Sequence, residues 1–433
     1  MADSKKVYLQ IISPLHIGCK DRAVYPFEWV RSENALYVLS EARLSAYLLK
    51  KNLLNSHLNE FEKKGSGFAL QHFLQKNGLL TQDFLDATVA YKVHAHRTPP
   101  REFKPFVRDA FNRPFIPGSS LKGAMRTAIL YGMLKQKKED DPHWFRNSIV
   151  QKVEHKLTEI KRKGRPTMRD KRDFSKRFLL SLLTDYTLPR ERQPNPRTDI
   201  LRILKVSDTQ PLHRDALEME ETKVLSHKEQ PDQQATMKGF SAFCETMPQG
   251  SVLTFDLKVD PGILHEFAQH NTLPQSLGSI EGILTACAAM SADLKKAEQD
   301  YLRALKSTSH AELTALSDFY QTLDGNFRLG FGGGLLSKTV AMLLPAELRK
   351  DLRDTLWHRR HSTLAPKSRN VIVAAGQPDL AFGWCKLALQ PLAATTVKRQ
   401  SAPKKQTMEK TFANEAEHFA DSLQKLREKF KQD

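Results

Sequence analysis

A chain of 433 residues is long enough for two or three packed domains, and a formal charge of +18 with an isoelectric point near 9.6 makes its body cationic. No apolar run approaches the roughly 20 residues of a membrane-spanning helix, and the opening MADSKKVYLQ holds no apolar signal core. These features argue against lipid and secretion and for a cytoplasmic protein with an RNA or DNA partner. Cys19, Cys244, Cys287 and Cys385 lie far apart without a C-x-x-C, against a disulfide framework or a cysteine zinc site. The segment 397–433 carries nine Lys/Arg against six Asp/Glu, so most of the excess charge belongs to the body.

In chain order, VYLQIIS reads as a strand and PLHIGCKD as a turn. YPFEWV and ALYVLS follow as a pair joined by RSEN. EARLSAYLLKKNLL opens a helical stretch that runs to about Tyr91, and KVHAHRTPPREFKPFVRDA is extended and broken by proline. Residues 151–177 hold eleven Lys/Arg against four Asp/Glu, a basic run that is either a solvated face or an RNA contact. ILRILKVSD and SVLTFDLKVD read as strands, the stretch from Leu264 to about Tyr320 as helices, and FGWCKLALQ as a closing strand. Strands and helices mix without regular βα alternation, which suits an α+β fold. The expected division is 1–260, with helical insertions at about 41–95 and 130–195, then 261–390, then a linker and charged tail helix over 391–433.

Two glycine-bearing turns carry the chemistry. In RPFIPGSSLKGAMR an apolar run is stopped by Pro117-Gly118, and Ser119 and Ser120 precede a sequence of helical spacing. A strand–turn–helix of this kind points backbone N–H groups outward and sets Lys122 and Arg126 one turn apart, a geometry that suits phosphate. The other reading is an ordinary turn with solvated cations. The second turn, RLGFGGGLLSKT, has Gly332, Gly333 and Gly334 in a row, which permits positive φ and close backbone approach to a ligand. It falls short of a P-loop because Ser337 fills the second glycine position ahead of Lys338-Thr339. It serves either as a backbone nest for an RNA phosphate or as a tight structural packing loop. His94 with His96, and His358 with His361, have ligand-like spacing but no further ligand set by sequence, so neither a metal nor a cofactor is expected. His16 is either a general base or a turn histidine satisfied by backbone.

Together, Gly118-Ser-Ser-Leu-Lys-Gly123 with Arg126, the early His16-Ile-Gly18 and the late Gly330–Gly334 loop resemble the RAMP superfamily of CRISPR effector complexes. About 100 residues separate His16-Ile-Gly18 from the signature turn, a spacing most similar to the fifth-subunit family of the type III-A (Csm) set. Ser207-Asp208 and Gly383-Trp384 also resemble family positions. The resemblance implies RRM-like (ferredoxin-like) domains with helical insertions, assembly with other RAMP backbone subunits, and CRISPR guide RNA as ligand. It further implies a non-catalytic subunit capping the guide's 3′ part, with roles in guide maturation and antiviral defence, and a partnership with host trimming nucleases. Lys122, Arg126 and the backbone of Gly118, Ser119 and Ser120 are the expected phosphate grip, followed by Gly332, Gly333 and Gly334. The alternative is a RAMP endoribonuclease. Its relatives use an aspartate in the loop after the HIG motif, where this chain offers Asp21 and Glu28.

Overall fold

Two antiparallel-rich sheets organise the chain, and the candidate motifs emerge from their edges. The computed structural model describes residues 3–19, 22–170, 199–227, 235–269, 277–305, 313–357 and 362–394. Residues 1–396 form one compact unit; the segment 397–433 with the expected tail helix, Asp21, His358 and His361 lie outside the described residues, as does the end of the basic run.

The first sheet is built from β1 (Asp3–Ile11), β5 (Leu204–Val206), β9 (Val252–Val259), β10 (Phe327–Arg328) and β13 (Trp384–Ala388). Their order is β10-β13-β1-β9-β5, and each neighbouring pair is antiparallel. Period-two alternation explains the burial: Val7, Leu9 and Ile11 of β1, and Leu253, Phe255, Leu257 and Val259 of β9, all turn inward. Against these strands packs the long helix Ile280–Ala304, which also contacts the signature helix Gly118–Asp140. Ser279 caps the former by accepting from the Gly282 N–H. The signature helix buries Leu121, Met125 and Ile129 in the core shared with β1 and β9. A boundary at residue 260 thus cuts through one sheet, because β10 and β13 from the C-terminal part complete the strands that begin with β1.

The second sheet runs β12-β11-β6-β4-β3-β2, from β2 (Trp29–Ser32), β3 (Ala35–Leu39), β4 (Val89–His94), β6 (Glu218–His227), β11 (Ser368–Ala374) and β12 (Gln377–Ala381). β7 (Ala235–Met237) and β8 (Ala242–Thr246) also pair with β6. The β2–β3 hairpin matches the expected pair, although Tyr25–Glu28 forms a turn rather than strand. Between β3 and β4, helices at Glu41–Lys50, Leu54–Lys64, Leu70–Lys76 and Gln82–Thr88 enclose their own core around Leu48, Phe68, Phe73 and Phe84. The helical stretch stops at Thr88 rather than Tyr91, since Val89–His94 is drawn into the sheet beside β3.

Candidate nucleic-acid interface

Residues far apart in sequence meet in one open groove of about 700 Å³. Its walls are the loop after β1 (His16 to Cys19, and Arg22), one face of the signature helix (Ser120, Gly123, Ala124, Thr127) and the glycine loop from Arg328 to Phe331 with Lys338. Backbone hydrogen bonds hold these pieces in register. Leu15 and Met247 exchange N–H and C=O, the Phe331 N–H donates to the His16 carbonyl at 2.9 Å, and the Val107 N–H donates to the Ile17 carbonyl at 2.8 Å. Gly330 makes the junction possible: at φ +77° a Cβ would lie 2.4 Å from the His16 carbonyl oxygen.

His16 is buried at the back of the groove. Its Nδ1 donates to the Glu245 carbonyl at 2.7 Å, and the ring meets Phe106 and Phe331 edge-on. Burial lowers its pKa to about 4, outweighing the Glu245 hydrogen bond, so the imidazole is neutral near pH 7. Behind it, the buried Glu245 carboxylate accepts from the Phe106 N–H at 2.8 Å and pairs with Arg108 at 3.2 Å. This is the environment of a turn histidine satisfied by backbone.

The signature turn is built differently from its expected use. Gly118 does not take positive φ, and its need for glycine is one of space: a Cβ would lie 2.4 Å from the Val206 carbonyl oxygen. The Gly118 N–H at the helix start donates to the Asp208 carboxylate at 2.7 Å, so an internal anion sits at this helix N-terminus. Ile116 and Thr209 bond reciprocally beside it. Lys122 donates to the Leu204 carbonyl at 2.7 Å and Arg126 pairs with Asp199 at 2.6 Å. Both side chains are half-buried against β5 and its approach rather than projecting free from an exposed face. Burial, above all, holds the Lys122 ammonium below its ordinary pKa. The neighbouring face, carrying Ser120, Gly123 and Thr127, is the one that meets the groove. Gly118→Ala should cost about 1–3 kcal/mol through overpacking against the β5–Ser207 backbone. Denaturant titration checks this, and an unchanged midpoint would refute the steric account.

In the glycine loop, Gly332 and Gly333 are buried beneath Phe382 and Ser337, while Gly334 is exposed at the start of the short helix Gly334–Lys338. β10, which leads into the loop, is antiparallel to β13, so the parallel-strand setting of a P-loop is missing. Arg328 anchors the loop from below. It donates to the Gly332 and Phe382 carbonyls at 3.3 Å and pairs with buried Glu298 at 3.4 Å.

Three exposed cations stand at the groove: Arg22, Lys104 and Lys338. Among the described residues none of them forms an ion pair, and no carboxylate side chain lines the groove. Lys104 lies 5.0 Å over the Phe331 ring. Lys338 belongs to a motif visible in sequence; Arg22 and Lys104 do not, and only the three-segment junction gives them a shared role. Glu28 is engaged in its own turn, accepting from the Tyr25 N–H at 2.8 Å, and is not part of the groove wall. His94 and His96 stack edge-on at 4.8 Å, and no group of three metal-ligating side chains occurs among the described residues.

The RAMP superfamily model matches residues 8–282, well over half of the chain and including both the HIG loop and the signature turn. The chain belongs to the RAMP superfamily. It is 27% identical over 134 residues to the CRISPR system Cms protein Csm5 of Streptococcus thermophilus, a match spanning 29% of this chain and 37% of that relative. Two solved structures share the fold. One is a chain of the cryo-EM Csm–crRNA–target RNA ternary complex of a type III-A CRISPR-Cas system. That comparison gives a TM-score of 0.64 at 21% identity, with 90% of this chain and 100% of that one covered. The other is the crystal structure of Csm5 from T. onnurineus, at TM-score 0.60 and 20% identity, with 88% and 99% covered.

Proposed function

We propose that this RAMP chain is a non-catalytic subunit of a type III-A CRISPR ribonucleoprotein that grips the sugar–phosphate backbone of the guide RNA and caps the particle at the guide's 3′ part. The observation that carries this reading is the groove: three family motifs converge on a surface where Arg22, Lys104 and Lys338 have no carboxylate partner among the described residues. A subunit that serves guides of any sequence must hold phosphate and ribose and leave the bases free to pair. Likeness to Csm5 and to a chain of a Csm–crRNA complex supports the same reading. The guide would run past Ser119 and Ser120 and the outer side of the glycine loop, where Gly334 is exposed, while the buried Gly332 and Gly333 would shape that loop from within. Gly118, Lys122 and Arg126 would hold the helix in place through Asp208, Leu204 and Asp199.

The path β1, signature helix, β5, β9, Ile280–Ala304, β13, with strand order β13-β1-β9-β5, supports a ferredoxin-like (RRM-like) core for this subunit. Other RAMP subunits are the neighbours such a particle requires. A cytoplasmic role in guide maturation and antiviral defence, with host nucleases trimming the guide, completes the proposal.

The test is anisotropy of labelled single-stranded guide RNA over a salt series. Converting Arg22, Lys104 and Lys338 together to alanine should flatten the log–log salt slope by about 2, at roughly 0.7 for each phosphate no longer neutralised. A scrambled guide should bind like the original. Lys122→Ala with Arg126→Ala should lower the melting temperature while keeping the slope. An unchanged slope in the triple variant would sink the groove reading. Mapping target RNA products with Asp21→Ala and Glu28→Ala in the assembled particle addresses cleavage. Loss of one specific product would replace the capping module with an endoribonuclease.

A further inference from the structure

A second cavity, of about 440 Å³, lies among the signature helix, the helix Ile280–Ala304, the helix Ala346–Trp357 and the segment Thr363–Pro366. Arg353, behind the cavity, holds this segment in place by donating to the Ser362 carbonyl at 2.7 Å and to the Leu364 carbonyl. Within this cavity Arg349 is anomalous. Its Nε is buried without an acceptor, and its guanidinium makes no hydrogen bond or ion pair among the described residues. Buried donors of this kind are rare, and leaving a charged one unmade costs more than a neutral one. Arg349 is also held in place, because Leu348 and Leu352 on the same helix are buried.

The surrounding charges do not compensate it. Arg369 lines the same cavity and shares one carboxylate, Glu298, with Arg328. The cavity's own acids are engaged elsewhere: Asp293 accepts from Tyr131 and pairs with Lys135, and Asp300 pairs with Arg303. Lys296 at the rim has no ion-pair partner among the described residues. Burial, and then the nearby Arg369, hold the Arg349 guanidinium below its ordinary pKa, as expected for surplus positive charge.

We propose that this cavity is a binding site for a phosphate-class oxyanion, with Arg349 as its principal ligand and Lys296 at its mouth. A guanidinium matches two phosphate oxygens with parallel N–H donors, and the volume lies within the range of small-molecule sites. The anion is either free phosphate or the phosphoryl group of a small metabolite such as a nucleoside monophosphate. The site is separate from the groove and does not rest on the guide-binding reading.

The experiment titrates the full chain with inorganic phosphate and, separately, with AMP, followed by isothermal calorimetry and by 31P line broadening. Saturable binding is expected for at least one of them. Phosphate alone sufficing identifies a free-ion site; saturation by AMP only identifies a phosphorylated ligand. Arg349→Gln should weaken binding by at least about tenfold, the size of one charge-assisted hydrogen bond. Lys296→Ala, at an exposed position that leaves the core intact, should weaken it by a smaller factor. The triple groove variant at Arg22, Lys104 and Lys338 should bind the anion as tightly as the parent chain. Absence of saturable binding, or equal affinity in Arg349→Gln and Lys296→Ala, overturns the proposal. Weakened binding in the groove variant instead would assign the anion to the groove.

Discussion

Glu298→Ala is expected to destabilise the chain by about 3–5 kcal/mol, the cost of breaking a buried ion pair by removing one partner. The Glu298 side chain is 2% exposed and stands between Arg328 at 3% and Arg369 at 10%, so the substitution leaves two desolvated guanidiniums without a counter-charge. Neither arginine can easily swing to solvent. Arg328 is bonded to the Phe382 and Gly332 carbonyls and lies over Trp384, while Arg369 is bonded to the Pro366 and Ser368 carbonyls and lies over Tyr301. Because Arg328 holds the underside of the glycine loop, the same substitution should weaken RNA binding without removing any exposed cation. Denaturant unfolding checks the first effect and RNA anisotropy the second. A destabilisation below about 1 kcal/mol would mean that the two arginines find other compensation.

Acidification should destabilise the chain through His16. Its folded pKa is depressed to about 4 from 6.5, so between these values the unfolded state binds a proton that the folded state refuses. Stability therefore rises with pH across this window. The contribution is fully present above about 6.5 and is lost as pH falls toward 4, reaching about 3 kcal/mol at 1.36 kcal/mol per pKa unit. The buried Glu245 carboxyl is displaced upward by burial and so works in the opposite direction as pH rises. Subtracting the pH profile of His16→Gln from that of the parent isolates the histidine. A difference profile that is flat between pH 6.5 and 4 would contradict the buried, neutral assignment.

Much of the local structure is legible in the sequence. Alternation announces β1 and β9, the RSEN turn announces the β2–β3 hairpin, and the glycine after Pro117 marks where the signature helix begins. β6, β8, β11 and β12 are less visible, because ETKVLSH, AFCET and QPDLA lack a clean alternation. They owe their pairing to neighbours up to about 150 positions away, as in Ile372 opposite Thr222.

For the site, the motifs are legible without coordinates: HIG, the IPGSSLKG turn with its basic pair, and a glycine run able to take positive φ. Family membership and a cationic body follow from these, since backbone conformation and net charge are local or additive properties. Which way each side chain faces is a matter of long-range packing. The i, i+4 spacing puts Lys122 and Arg126 on one face of a helix, but the position of β5 turns that face inward and commits both to Leu204 and Asp199. Likewise the N-terminal N–H groups invite an anion, and Asp208, 90 residues further along the chain, supplies it. The cations left facing solvent in the groove, Arg22, Lys104 and Lys338, come from three separate segments. No local pattern can join them, because their proximity is created by long-range contacts such as the His16–Phe331 and Ile17–Val107 hydrogen bonds, which exist only once the sheets have assembled.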